Sequence, residues 1–89
     1  VDANVVSLAT VIRNGDAVQF EIDMRGRMIT CSVTREALED HFWLQPGAGE
    51  TRLLRTFLDG QKRISAIAER KARRLSVDKI DLTSQDFAR

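Results

Sequence analysis

The stretch MITCSVTREALEDHF, residues 28–42, carries an alternating strand pattern through a threonine directly into a helical one. Ile29, Cys31 and Val33 fall on one side of the strand and Met28, Thr30 and Ser32 on the other, the period of two of a half-buried strand. Thr34 ends it. Its hydroxyl can accept from an unpaired backbone N–H of the following helix, and Glu36 and Glu39 put negative charge in the first turns, where the helix dipole favours it. Leu38 and Phe42, four apart, share one face of this short helix, which ends before Pro46; residues 45–49 read as a loop.

Upstream, residues 17–24 alternate cleanly, with Val18, Phe20, Ile22 and Met24 facing one way and Gln19, Glu21 and Asp23 the other. Arg25-Gly26 supplies a turn, so the two runs form a hairpin. A lone hairpin is marginal in water, so a further strand or a helix must cover its apolar face. Residues 5–12 are apolar at nearly every position, which suits a strand covered on both sides or an irregular N-terminal arm, and Asn14-Gly15 supplies the positive φ of a tight hairpin turn.

Downstream, no proline interrupts residues 51–75, and spacing residues at 100° puts Leu53, Leu54, Phe57, Leu58, Ile64, Ala68, Ala72 and Leu75 within an arc of about 140°. This is the dominant helix. Gly60 weakens its middle by about 1 kcal/mol relative to alanine. Unbroken, the helix would run roughly 37 Å, against a diameter of about 30 Å for a compact chain of this length. It therefore breaks near Gly60, or its end projects with Ile67, Ala68, Ala72 and Leu75 still apolar; a projecting end would want a partner, most simply a second copy. Residues 77–83 return to alternation as a closing strand, and Phe87 pins the tail. The expected fold is α+β: an antiparallel sheet of three to four strands with the short and long helices on one face, in the order β-β-β-α-α-β. Residues 1–89 make one domain, with 1–16 as an N-terminal strand or arm.

At 89 residues, 43% hydrophobic and 30% charged, the chain has the composition of a folded domain with a thin core. One cysteine excludes an internal disulfide, and the run 5–12 is too short to cross a bilayer and, with Asp2 ahead of it, makes a poor secretory signal. A cytoplasmic protein with no membrane association is the expectation. The net charge of +1 conceals a polarity: residues 1–50 carry −4, residues 51–75 carry +6 and residues 76–89 carry −1.

Arg52, Arg55, Lys62, Arg63, Arg70, Arg73 and Arg74 lie within about 120° on the long helix, opposite its apolar arc. Such a stripe attracts phosphate backbones or an acidic protein partner. Arg63, Arg70, Arg73 and Arg74 are the candidate contacts. Against this, Asp59 stands four residues from both Arg55 and Arg63, and Glu69 four from Arg73, the spacing of intrahelical pairs on an ordinary solvated face. Trp43 follows Phe42 at the end of the short helix; packing against the long helix is the first reading and an interface anchor the second. Cys31 and His41 invite a thiolate and imidazole reading, but alternation buries Cys31, where a thiol acts as a small hydrophobe. One cysteine and one histidine do not make a metal site, and no phosphate-loop, dinucleotide or nucleophile-elbow pattern is present, since Gly47-Ala48-Gly49 is short and follows a helix. No cofactor is expected.

VQF at 18–20, RGRMITCSVTREALEDHF at 25–42, Phe57, KRI at 62–64, Ala68 and the closing DLTSQDF at 81–87 together resemble a bacterial family of small domains of unknown function, number 1488 in that series. The resemblance covers about residues 17–87. It implies a small bacterial α+β protein and brings no catalytic residue with it. The functional expectation is a non-enzymatic regulatory or protein-interaction module, paired as a homodimer through the long helix or an open sheet edge. The alternative is weak, sequence-independent nucleic-acid binding through the basic helix face, and an enzyme using Cys31 and His41 stands third.

Overall fold

In the computed structural model, residues 9–88 and the backbone of residues 4 and 5 are described. β3 (Ala17–Met24) and β4 (Arg27–Thr34) form the expected hairpin, in register from Ala17 opposite Thr34 to Met24 opposite Arg27. Arg25 and Gly26 both adopt positive φ, +59° and +84°, the left-handed pair whose twist matches the flanking strands. Asp23 steadies the turn by accepting from the Gly26 amide at 2.7 Å. Val18, Phe20, Ile22, Ile29, Cys31 and Val33 are at most 1% exposed, so the alternation in the sequence is the core face of this hairpin.

β1 (Asn4–Val5) and β2 (Thr10–Ile12) both pair antiparallel with β3, at its two ends, and a 3-10 turn at Arg13–Gly15 links β2 to β3. Residues 6–8 of the apolar run lie outside the described residues. On the other side, β5 (Lys79–Leu82) pairs with β4, making a sheet four strands wide. The sheet is mixed rather than wholly antiparallel: β5 runs parallel to β4, Cys31 opposite Ile80 and Val33 opposite Leu82. A tight hairpin reverses the chain, whereas the helices between β4 and β5 form a crossover that returns it to the end where β4 began.

Those helices are α1 (Arg35–His41), α2 (Glu50–Asp59) and α3 (Gln61–Leu75). Thr34 caps α1 as expected, its Oγ1 accepting from the Ala37 amide at 3.1 Å. The expected single helix over 51–75 breaks at Gly60. Both pieces stay on one face of the sheet, and Leu53, Phe57, Ile64, Ala68 and Ala72 are buried there, Phe57 against Phe20 with ring centroids 4.9 Å apart. At the end expected to project, Ala68 and Ala72 are buried against the sheet and Leu75 is half exposed. The opposite face of the sheet bears Gln19, Asp23, Lys79 and Asp81, all exposed. There the Ser32 hydroxyl, 2.5 Å away, and Arg13 beside it hold the Asp81 carboxyl below its usual range.

The tail adds an element that alternation alone does not reveal, α4 (Ser84–Phe87). Burial pushes the Asp86 carboxyl up, but the Thr83 amide at 2.8 Å and the Lys71 ammonium at 3.0 Å outweigh it and hold the group below its ordinary value. Phe87, 4% exposed, pins the tail edge-on against Phe42 with centroids 5.3 Å apart.

Candidate functional site

Cys31 and His41 are not brought together. Cys31 points into the core, 1% exposed, its thiol donating to the Ile29 carbonyl at 3.6 Å. Burial pushes the thiol up to about 12, and the charges of Asp81 and Glu21 act in the same direction. His41 turns instead toward α4, with Nε2 2.9 Å from the Ser84 carbonyl and 3.2 Å from Ser84 Oγ. A carbonyl only accepts, so Nε2 carries the proton and donates. Ser84 Oγ in turn donates to Asp40 Oδ2 at 2.6 Å. Serine, histidine and aspartate therefore meet, but the hydroxyl proton goes to the carboxylate and the imidazole offers no lone pair to Oγ, the reverse of a nucleophile activated by a base. The cluster ties α4 to the last turn of α1. Among the described residues, no three of His, Cys, Asp and Glu gather to hold a metal ion.

The basic stripe divides at Gly60. Arg63 lies over the Phe42 ring, 5.0 Å from its centroid, and 5.9 Å from that of Phe87, which commits its guanidinium to the aromatic cluster under α4. Arg73 pairs with Glu69 as the spacing predicts. Asp59 forms neither of its expected pairs, with Arg55 or with Arg63. Arg70 and Arg74 are exposed on the rim of a shallow depression of about 280 Å³ that Ile67, Lys71, Asp86 and Phe87 also line.

The chain's only tryptophan occupies the corner between α1 and α2, and its packing reading is overturned: Trp43 is 87% exposed. The Phe42 and Leu44 amides both return to the Leu38 carbonyl, at 3.0 and 3.2 Å, and between them Trp43 takes φ +60°. Helices commonly end on such a left-handed residue, and glycine is the usual occupant because it has no Cβ to clash. Here a bulky indole stands in that position and is left in water. Phe42, Trp43 and Leu44 are consecutive bulky apolar residues at a helix end, where two can turn inward and the third cannot. That was the available signal for the exposure.

Trp43, Phe42, Arg52, Arg55, Thr56, Asp59 and Gly60 line a cleft of about 510 Å³. Its floor is preformed, because the Phe42 ring rests on Gly60 and is held from the other sides by Phe87 and Arg63. Arg52, Arg55 and Asp59 are exposed, and none has an ion pair or hydrogen bond among the described residues. Trp43→Gly should raise stability by about 0.5 to 1 kcal/mol, relief of left-handed strain exceeding the added chain entropy of glycine. Urea denaturation measures it, and a loss of about 1 kcal/mol or more would mean that the indole packs on the fold.

Within the described residues no helix is long and apolar enough to cross a membrane. No curated protein and no solved structure matches the chain. A family model described as "Protein of unknown function (DUF1488)" matches residues 8–81, which takes in β2 through most of β5, including the Trp43 cleft, and stops short of α4. Covering most of the chain, that match makes this protein a member of the DUF1488 family.

Proposed function

We propose that this domain is a non-enzymatic interaction module of the bacterial cytoplasm that binds another protein at the corner between α1 and α2. One observation carries the reading: an exposed tryptophan in a strained backbone conformation where the fold itself would be better served by glycine. Tryptophan and arginine are the residue types that dominate binding energy at protein interfaces, and Trp43 stands beside Arg52 and Arg55. The non-enzymatic part is supported by a neutral, buried Cys31 thiol and by a Ser84 hydroxyl whose proton is committed to Asp40.

A homodimer through the long helix would rest on Leu58 and Leu75, 53% and 48% exposed and carried on separate helices, since the apolar positions Ala68 and Ala72 are buried under the sheet. Pairing through the β5 edge of the sheet meets the Lys71 ammonium on the Asp81 carbonyl at 2.8 Å, a charged group over an edge acceptor. A different chain fits better. Nucleic-acid contact through Arg70 and Arg74, with Arg63 and Arg73 beside them, is the second reading, favoured by the exposed guanidiniums on the α3 rim.

A photocrosslinking residue at position 43, compared with one at Lys79 on the open sheet face, separates the two in living cells. The protein reading expects nuclease-resistant adducts from position 43 and none from 79. Nuclease-sensitive adducts, together with in vitro binding of labelled DNA or RNA that weakens steeply between about 50 and 200 mM salt and is lost in R70E/R73E/R74E, would give the second reading the lead.

A further inference from the structure

We infer that the Trp43 cleft takes an acidic peptide segment of its partner, with carboxylates seated on Arg52 and Arg55 and a neighbouring apolar side chain against the indole; the inference rests on the interaction-module reading. Arg52 and Arg55, three apart on α2, both line the cleft and have no partner among the described residues. A guanidinium is a planar fork that matches a carboxylate with two parallel hydrogen bonds, so a pair of such groups one helical turn apart reads carboxylates along a short segment. The indole supplies the apolar part. At 87% exposure it has most of its surface still to bury, and the Phe42 floor fixed on Gly60 keeps the ordering cost of binding low.

Asp59 decides between a peptide and a polyphosphate. It lines the same cleft, exposed and unpaired among the described residues, and so faces any ligand with negative charge. A nucleic-acid strand carries a charge at every nucleotide and would set one against Asp59, whereas a peptide can place its carboxylates on the arginines and a backbone N–H on Asp59. The segment 51–75, at a net +6, also steers an acidic partner toward α2 and α3.

Because Trp43 is the only tryptophan, its emission reports the cleft directly. The probes are a short synthetic peptide of glutamate and alanine with one central leucine, the same peptide with lysine for glutamate, and a short oligo-dT. The inference expects a saturable blue shift with the glutamate peptide alone. Affinity should fall about tenfold or more in R52E/R55E, weaken measurably in R52Q/R55Q, and fall far less in R70E/R73E/R74E, which alters only the long-range charge. All these arginines are exposed, and urea denaturation of each variant checks that the fold is intact. A saturable shift with the lysine peptide and none with the glutamate peptide would overturn the acidic assignment while leaving the interaction module standing. Oligo-dT binding that depends on Arg52 and Arg55 would overturn both. No shift with any probe up to millimolar concentration overturns the acidic assignment, and crosslinking from position 43 then judges the module reading by itself.

Discussion

Gly60→Ala should destabilise the domain by about 2 kcal/mol, although alanine, compatible with the backbone there, favours folding by up to about 1 kcal/mol through a less disordered unfolded chain. The reason is a ring. A Cβ built on Gly60 would lie 2.6 Å from both Cδ2 and Cε2 of Phe42, a separation that forces something to move. Gly60 itself has φ −107°, so left-handed strain plays no part and the glycine is required for close approach alone. Phe42 has little room to retreat, with Phe87 edge-on at 5.3 Å and the Arg63 guanidinium 5.0 Å from the ring centre. Displacing it should also loosen α4 and open the floor of the cleft.

A double-mutant cycle isolates this cause. Phe42→Ala removes the obstacle, so adding Gly60→Ala to that variant should be stabilising, by up to about 1 kcal/mol from the lower entropy of the unfolded chain, and the two changes should couple by 2 to 3 kcal/mol. Urea denaturation of the four proteins measures the cycle. Additive effects would mean that Gly60 is kept for the bend between α2 and α3 and not for the ring.

Gly60 also marks where the sequence stops being legible. Its cost to a helix is a local property and could be read, but the group that requires it comes from the end of α1, far back in the chain. The hairpin was legible for the opposite reason: alternation at Val18, Phe20 and Ile22 and at Ile29, Cys31 and Val33 translates directly into sheet faces, and all six are buried. The apolar arc of the long helix located Leu53, Phe57, Ile64, Ala68 and Ala72 in the core but was too wide. Leu58 and Leu75, 53% and 48% exposed, sit on flanks that the sheet does not reach once the helix breaks. The direction of β5 was illegible because alternation along a strand has no sense, so Ile80 and Leu82 read the same whether paired parallel or antiparallel.

For the candidate site, charge counting found the basic helices but treated them as one stripe. The bend and the aromatic cluster sort the arginines into different tasks: Arg63 on Phe42 and Phe87, Arg73 on Glu69, and Arg52 and Arg55 toward Trp43. Of these, only the Arg73–Glu69 pair follows from spacing on a straight helix. Trp43 was the larger miss, because aromatic residues fill small cores so often that burial is the natural expectation. Its exposure depends on a left-handed residue at the end of α1, set by where the Phe42 and Leu44 amides find their acceptor.

Cys31 should make the domain sensitive to alkali and inert to alkylating reagents at neutral pH. Its thiol titrates near 12 in the folded protein, against 9.0 for an unperturbed thiol. Above about pH 9 the unfolded chain gives up this proton while the folded one keeps it, so the unfolded state binds fewer protons and stability falls as pH rises. The contribution is fully present below about pH 9 and is lost progressively toward pH 12, at up to about 1.4 kcal/mol for each pH unit in that window. No tyrosine is present to titrate over the same range, and Cys31→Ala is the control for the rest of the chain. That variant should start about 1 kcal/mol less stable, from the small void it leaves, and lose much less stability between pH 9 and 11. Iodoacetamide should label the wild-type thiol only through opening of the fold, so labelling at neutral pH should slow as stability is raised and quicken in urea. Rapid labelling of the native protein near pH 7 would mean that a thiolate is accessible, and would reopen a chemical role for the one cysteine that the sheet now holds in its core.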